Sequence, residues 1–181
     1  WSFLGPYEKR SIANEPSPVI VNKNILLPFN TGFLKMVDSK TGIKIWEYKS
    51  KKFDFGNARS VIPGFSSSII ISKNQIFTSN FSGQTRAIDF EGNLIWSNSF
   101  NSNDDIIQID EKIFLVDKFE RILTINRNNG KIINIKKISN KNKSYIFGLK
   151  LVNSTIFILY DNGELKKYDF EKGTLIDLLD L

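Results

Sequence analysis

Short apolar runs alternate with turns rich in Gly, Asn and Ser along most of the chain. In the second of four similar units, the pattern predicts strands near Ser66–Ile71, Gln75–Asn80, Gln84–Asp89 and Asn93–Phe100. The runs are rich in Ile, Val and Phe, and turn residues interrupt them too often for helices of ordinary length. The pattern therefore favours an all-β fold built from consecutive hairpins.

Several of the apolar runs are continuous rather than alternating. The clearest are Ile69–Ile71, Ile113–Val116 and Ile156–Tyr160. An antiparallel strand with water on one face would alternate apolar and polar residues. A continuous run predicts burial on both faces, as happens when one sheet is packed between two others.

One phrase recurs four times: an Asp or Asn anchor, a turn closed by Gly, and a new strand. The copies are Asp38–Trp46, Asp89–Trp96, Asn126–Asn134 and Asp169–Asp177. Spacing inside each unit is nearly constant, whereas the connections between units vary in length. Repeated four-stranded antiparallel units that pack face to face are the blades of a β-propeller. A β-sandwich is the main rival, but it does not require Gly, Asp and Trp at fixed internal offsets.

The predicted organisation is a single partial propeller domain over residues 1–181, with about four blades. The expected blades are residues 17–50, 60–100, 104–138 and 146–181, with residues 1–4 forming the end of a preceding blade.

The repeated residues have structural roles in this interpretation. Glycines before the third strands are expected to supply a positive φ, and the anchors are expected to cap the turns that follow them; these glycines are Gly32, Gly83 and Gly163. Trp46 and Trp96 are large apolar plates suited to the gap between neighbouring blades. The third and fourth units carry Asn134 and Asp177 at the Trp position, which predicts weaker or rebuilt docking there.

The amino-acid composition restricts the kinds of functional site that the chain can contain. The chain has no Cys and no His, which excludes disulfides, thiolate metal sites, imidazole ligands and His-based triads. No catalytic, cofactor-binding or metal-binding residue is predicted. The net charge of +6 comes from lysines that lie mainly in turns. The densest basic stretch, residues 136–143, is interpreted as a solvated connection rather than a nucleic-acid or lipid-headgroup site, because no aromatic residues are interleaved with it.

The Asp-x-x-Thr-Gly-x-x-x-Trp phrase at Asp38–Trp46 is similar to the repeat of the pyrroloquinoline-quinone (PQQ) type propellers. The order of segments resembles the BamB family of outer-membrane assembly lipoproteins. The resembling segments are Pro18–Trp46, Ser60–Phe100 with Gly83–Asp89, Asp104–Gly130 with Ile113–Asp117 and Arg121–Leu123, and Leu149–Leu178 with Asp161–Leu165. Because that family has eight blades, the resemblance implies that this chain is the C-terminal half of a longer propeller. The last closing strands are expected to be lost after Leu181.

The resemblance implies a non-catalytic scaffold subunit of the machinery that assembles outer-membrane β-barrels. Such a protein would lie at the periplasmic face of the bacterial outer membrane, held by a lipid anchor outside this segment. It would dock on a BamA-like subunit and offer blade edges to unfolded barrel precursors. The alternative is a PQQ-dependent dehydrogenase, whose family carries a central calcium ion and commonly a disulfide of adjacent cysteines.

One turn is the predicted partner contact. By segment order, the turn that contributes to BamA docking in the family matches Ile88, Phe90 and Glu91 here. An aromatic residue in an otherwise polar turn is the type enriched in interface hot spots. Packing of Phe90 against the rim of its own blade is the competing explanation, and Glu91 stands where the family tends to carry a basic residue.

Overall fold

The computed structural model describes residues 1–2, 17–50, 64–65, 67–80, 83–100, 102, 106–117, 119, 121–138, 144, 146–169 and 174–180. Within them the regular elements are sixteen strands in four sheets. The first sheet contains β1 (Val19–Val21), β2 (Asn24–Pro28), β3 (Phe33–Asp38) and β4 (Lys44–Lys49). The second contains β5 (Ile70–Ser72), β6 (Gln75–Asn80), β7 (Gln84–Asp89) and β8 (Leu94–Asn98). The third contains β9 (Ile107–Ile109), β10 (Lys112–Val116), β11 (Arg121–Asn126) and β12 (Ile132–Lys137). The fourth contains β13 (Ile146–Val152), β14 (Thr155–Tyr160), β15 (Glu164–Asp169) and β16 (Leu175–Asp180).

Each sheet is an antiparallel meander in which the strands lie in chain order. Hairpin turns connect neighbouring strands within a sheet, and the longer connections lead from one sheet to the next. This arrangement confirms the predicted all-β architecture of four-stranded units. It differs from the rival sandwich, in which the units would merge into two stacked sheets. The described residues form no helix, so none of them provides a helical membrane span.

Three apolar clusters join the four sheets in sequence, each cluster drawing on two successive sheets. The second sheet shows how the strand period builds these clusters, because side chains of adjacent residues point to opposite faces. Ile76 and Ile88 pack against the first sheet, whereas Phe77 and Ala87 pack against the third. The second and third sheets are therefore each covered on both faces. β5 and β9, the first strands of these neighbouring sheets, contact each other.

The prediction of two-faced burial holds for two of the three continuous runs. In the run Ile69–Ile71, Ile69 and Ile71 pack in the cluster shared with the first sheet and Ile70 packs in the cluster shared with the third. Ile113–Val116 is buried along its whole length in the third sheet. In the fourth sheet burial alternates, since Ile156, Ile158 and Tyr160 face the third sheet while the residues between them are only partly buried. The physical reason is that, among the residues described, the fourth sheet has a neighbouring sheet on one side only.

The last strand corrects another prediction. β16 runs from Leu175 to Asp180 and is as long as β4 and β12. It pairs with β15 from Glu164 to Tyr168. The expectation that the outermost strand of the last unit is incomplete is therefore wrong.

Candidate interaction surface

The glycines before the third strands take the backbone conformation that the sequence predicts. Gly32, Gly83 and Gly163 have φ values of 81°, 95° and 89°. Residues with a side chain rarely adopt these values, which explains why Gly recurs at this position. This prediction is confirmed.

Asp38, Asp89 and Asn126 cap the turns that follow them, as predicted, whereas the turn after Asp169 lies outside the described residues. In the second sheet, Asp89 Oδ1 accepts hydrogen bonds from the backbone N–H groups of Glu91 at 3.0 Å and Asn93 at 2.7 Å. Asn93 Nδ2 also donates to Asp89 Oδ2 at 2.9 Å. Desolvation alone would raise the pKa of the Asp89 carboxyl, but these hydrogen bonds outweigh it, so the pKa is lowered. The turn is thus fixed around an ionised Asp89.

The three predicted partner-binding residues surround this turn but differ in accessibility. Ile88 is fully buried in the cluster between the first two sheets and offers no surface to a partner. Phe90 is partly buried and packs against the same cluster, so part of its ring remains accessible. Glu91 is exposed. A partner would therefore contact Phe90 and Glu91, while Ile88 could act only by supporting the turn.

The turn also receives a tryptophan from the preceding sheet. Trp46 Nε1, on β4, donates a hydrogen bond to the Phe90 carbonyl oxygen at 2.7 Å. The Trp46 ring lies over Gly92, where an added Cβ would meet ring atoms at 2.8 Å. We call this arrangement, in which an indole covers the turn glycine and bonds to the residue after the anchor, the Trp–Gly contact.

The Trp–Gly contact occurs three times in the described residues. Trp96 donates to the Arg127 carbonyl at 2.7 Å and covers Gly130. Trp1 donates to the Ser39 carbonyl at 3.1 Å and covers Gly42. Sequence analysis placed the tryptophans between sheets, and the structure adds that each closes on the Gly of the next repeat. The Trp and the Gly of the repeated phrase therefore contact each other between neighbouring units, not within one unit.

Where the tryptophan is missing, the replacement side chains do not dock in this way. Asn134 in β12 and Asp177 in β16 are both exposed. The apolar cluster between the third and fourth sheets instead includes Ile138, Tyr160 and Tyr168. Docking of the fourth sheet is therefore rebuilt from apolar and aromatic residues of the strands.

Sequence analysis missed a buried cation between the first and second sheets. Arg86 on β7 is 1% exposed. Its Nη1 donates to Ser50 Oγ at 2.7 Å and its Nη2 to Gln84 Oε1 at 2.5 Å, while its guanidinium lies 5.7 Å from the centroid of the Tyr48 ring. Burial lowers the pKa of Arg86, and Tyr48 partly offsets that effect. Arg86 therefore links two sheets through polar contacts inside the apolar interface.

A second polar group links the second and third sheets at the end that carries the anchor turns. Glu111 follows β9 and accepts hydrogen bonds from Lys73 at 2.5 Å, from Asn128 at 2.7 Å and from Arg127. Lys73, Asn128 and Arg127 together lower the pKa of Glu111 from 4.5 to about 2. Arg127 also belongs to the Trp–Gly contact, so this ion network supports the docking of Trp96.

The lowered pKa predicts a specific pH dependence. A carboxyl whose pKa is depressed by folding contributes stability above its unfolded value, and that stability is lost as pH falls through the folded value. We expect the stability advantage of the wild-type protein over Glu111→Gln to be full above pH 4.5 and to disappear as pH falls towards 2. Denaturant unfolding of both proteins at several pH values measures this difference. A difference that is independent of pH over that range would contradict the assignment.

The described residues contain no group of three or more acidic side chains that could hold a metal ion, and the chain lacks His and Cys.

Comparison with known proteins places these features in a family. A family model described as outer membrane protein assembly factor BamB matches residues 1–136, which include the first two sheets and most of the third. The chain belongs to the BamB family. No curated protein matches this chain significantly.

Two solved structures share the fold. BamB from Moraxella catarrhalis superposes with a TM-score of 0.84 at 12% identity, over 100% of this chain and 54% of that one. A computationally designed protein, Ika8, superposes with a TM-score of 0.68 at 14% identity, over 90% of this chain and 48% of that one. This chain therefore spans about half the length of the structures it matches, and its four sheets correspond to the blades of a partial propeller.

Proposed function

We propose that this chain is part of a non-catalytic scaffold subunit of the machinery that assembles outer-membrane β-barrel proteins. It acts at the periplasmic face of the bacterial outer membrane, in a protein held there by a lipid anchor. It docks on a BamA-like subunit and assists the insertion of barrel precursors. The observation that carries the proposal is membership of the BamB family over residues 1–136.

The geometry of the anchor turn supports a docking role. Asp89 and Asn93 fix the turn, and the hydrogen bond from Trp46 ties it to the preceding sheet. A partner therefore meets a preorganised surface, which reduces the conformational entropy lost on binding. Phe90 supplies a partly accessible ring and Glu91 an exposed charge at the centre of this surface.

The docking proposal predicts that Phe90→Ala with Glu91→Ala weakens capture of BamA periplasmic domains by about tenfold or more, the loss typical of a hot-spot residue. These changes leave in place the Phe90 carbonyl that receives the Trp46 hydrogen bond. Ile88 should not be changed in this test, because it is fully buried and its truncation would open a cavity.

Phe119→Ala is the matched control. Phe119 is 61% exposed and lies in the turn between β10 and β11, at the opposite end of the sheets from Phe90. Its truncation should leave capture unchanged. If the double variant keeps wild-type stability in denaturant and still captures the BamA domains at full strength, the turn is not part of the interface.

A further inference from the structure

The last strand of every sheet (β4, β8, β12 and β16) contains a β-bulge at the same point of its pairing with the third strand. The extra residue always directly precedes the Trp position, and it is isoleucine in all four sheets. These residues are Ile45, Ile95, Ile133 and Ile176. We call this set the isoleucine rim.

The rim isoleucines are solvent-exposed. Their exposed fractions are 51%, 41%, 53% and 57% in chain order, and none belongs to the three clusters that join the sheets. A single exposed apolar residue is ordinary on a protein surface. The same apolar side chain at the same structural position in four successive sheets requires a common cause.

Docking of the tryptophan does not supply that cause. In the third and fourth sheets the Trp position holds Asn134 and Asp177, which are exposed, yet the bulge and its isoleucine remain. Turn geometry can account for the bulge but does not call for an apolar side chain. Threonine is also β-branched and suits a strand equally well.

The bulges also affect how the sheet edges can bind another chain. A bulge leaves its extra residue unpaired, interrupts the ladder and increases the local twist. An edge shaped in this way is a poor template for a regular added strand. Contact with another polypeptide at this level of the edge must therefore rely on side chains.

We propose that the isoleucine rim binds an extended, unfolded polypeptide in which apolar and polar residues alternate, through side-chain contacts rather than main-chain pairing. This inference rests on the proposed function and specifies how a precursor would be held. The four isoleucines lie at the same level of successive sheets, so a partner must be long to reach more than one of them. Each contact is small, and linking several in one chain raises the overall affinity.

The charges beside the rim restrict the sequence of that partner. β12 carries Lys136 and Lys137 and no acidic residue, whereas on β4 the lysine next to the rim, Lys44, pairs with Glu47 at 3.8 Å, and on β16 Asp177 directly follows Ile176. Lysines beside the rim of the third sheet disfavour basic residues in the bound chain. The partner's polar residues at the third sheet are therefore neutral or acidic.

A peptide-binding experiment tests the inference. The probe is a fluorescent peptide in which Val and Tyr alternate with Ser and Glu, titrated against the purified protein and monitored by anisotropy. The quadruple variant Ile45→Thr, Ile95→Thr, Ile133→Thr and Ile176→Thr keeps β-branching at each bulge and should bind at least tenfold more weakly. Ile20→Thr is the matched control, because Ile20 is 78% exposed but lies on the first strand of its sheet. The control should bind like the wild type.

A second peptide separates side-chain contact from strand addition. N-methylation of alternate amides removes main-chain donors, and it should change binding by less than about twofold if side chains dominate. Loss of binding on N-methylation, full binding by the quadruple variant, or no binding by the wild type would each overturn the inference. The docking proposal is measured independently by BamA capture, so failure here leaves that result standing.

Discussion

Trp96→Ala should lower the free energy of unfolding by about 3–5 kcal/mol, the usual cost of truncating a large aromatic in a core. Trp96 is 7% exposed and packs with Phe77 at a ring-centroid distance of 6.0 Å in the cluster between the second and third sheets. Its removal also leaves the Arg127 carbonyl without its indole donor. Chemical denaturation followed by circular dichroism measures the change without depending on the fluorescence of the removed residue.

Ser97→Ala is the control for this experiment. Ser97 is the next residue on β8 and is exposed, so its truncation should change stability by no more than about 0.5 kcal/mol. A loss below about 1 kcal/mol for Trp96→Ala would show that Trp96 does not hold the two sheets together.

The parts of the fold that sequence analysis predicted correctly depend on local chemistry. A glycine at positive φ, as at Gly83, and an anchor that accepts backbone hydrogen bonds, as at Asp89, need only neighbours a few residues away. Because these local requirements are the same in each unit, the same residue types occur at the same offsets. The hairpins could therefore be read from the chain without knowledge of the packing.

The pairing of Trp with Gly could not be predicted in the same way. Within one phrase, Trp46 and Gly42 lie close in sequence, yet Trp46 covers Gly92 of the next unit. The partner depends on how successive sheets stack, which no local pattern encodes. The sequence held one signal for this pairing, namely a tryptophan, Trp1, that precedes the first complete unit. In the structure, Trp1 covers Gly42, the turn glycine of that unit.

Arg86 was missed because a cation in a buried strand was not treated as a feature of the repeat. A signal exists in the sequence, since Lys35 and Lys166 occupy the same position before their own anchors. Lys166 is 6% exposed, and Lys35 forms an ion pair with Glu47 at 2.8 Å. In the third unit the position holds Leu123, which is buried in the apolar cluster. Arg86 and Lys166 lie on the face that looks towards the preceding sheet, where Arg86 bonds to Ser50 and Lys166 lies over the Tyr160 ring.

The burial of the fourth sheet shows a different limit. The run at Ile156–Tyr160 is as apolar as the run at Ile113–Val116, yet its burial alternates. An apolar sequence shows that a strand can be buried on both faces. Whether it is buried on both faces depends on which sheets lie next to it. The sequence pattern alone could not distinguish a middle sheet from a terminal one.

Gly130→Ala should lower the free energy of unfolding by about 2–5 kcal/mol. Gly130 has a φ of +71°, and a side chain in the left-handed region costs about 1–2 kcal/mol. The added Cβ would also lie 2.6 Å from the Trp96 ring, so the indole must shift, at the cost of about 1–3 kcal/mol typical of overpacking. Chemical denaturation of the variant and the wild type measures the sum of the two effects.

Two comparisons separate backbone strain from the clash with the ring. Gly83 has a φ of +95°, but nothing lies within 4 Å of an added Cβ, so Gly83→Ala should cost only the backbone strain. The double variant Trp96→Ala with Gly130→Ala removes the ring that the new methyl group would strike. Because the two residues are in contact, its loss should be smaller than the sum of the single losses by about 1–2 kcal/mol. Strict additivity would mean that Gly130 is required for its backbone conformation alone, and that the indole does not select glycine at this turn.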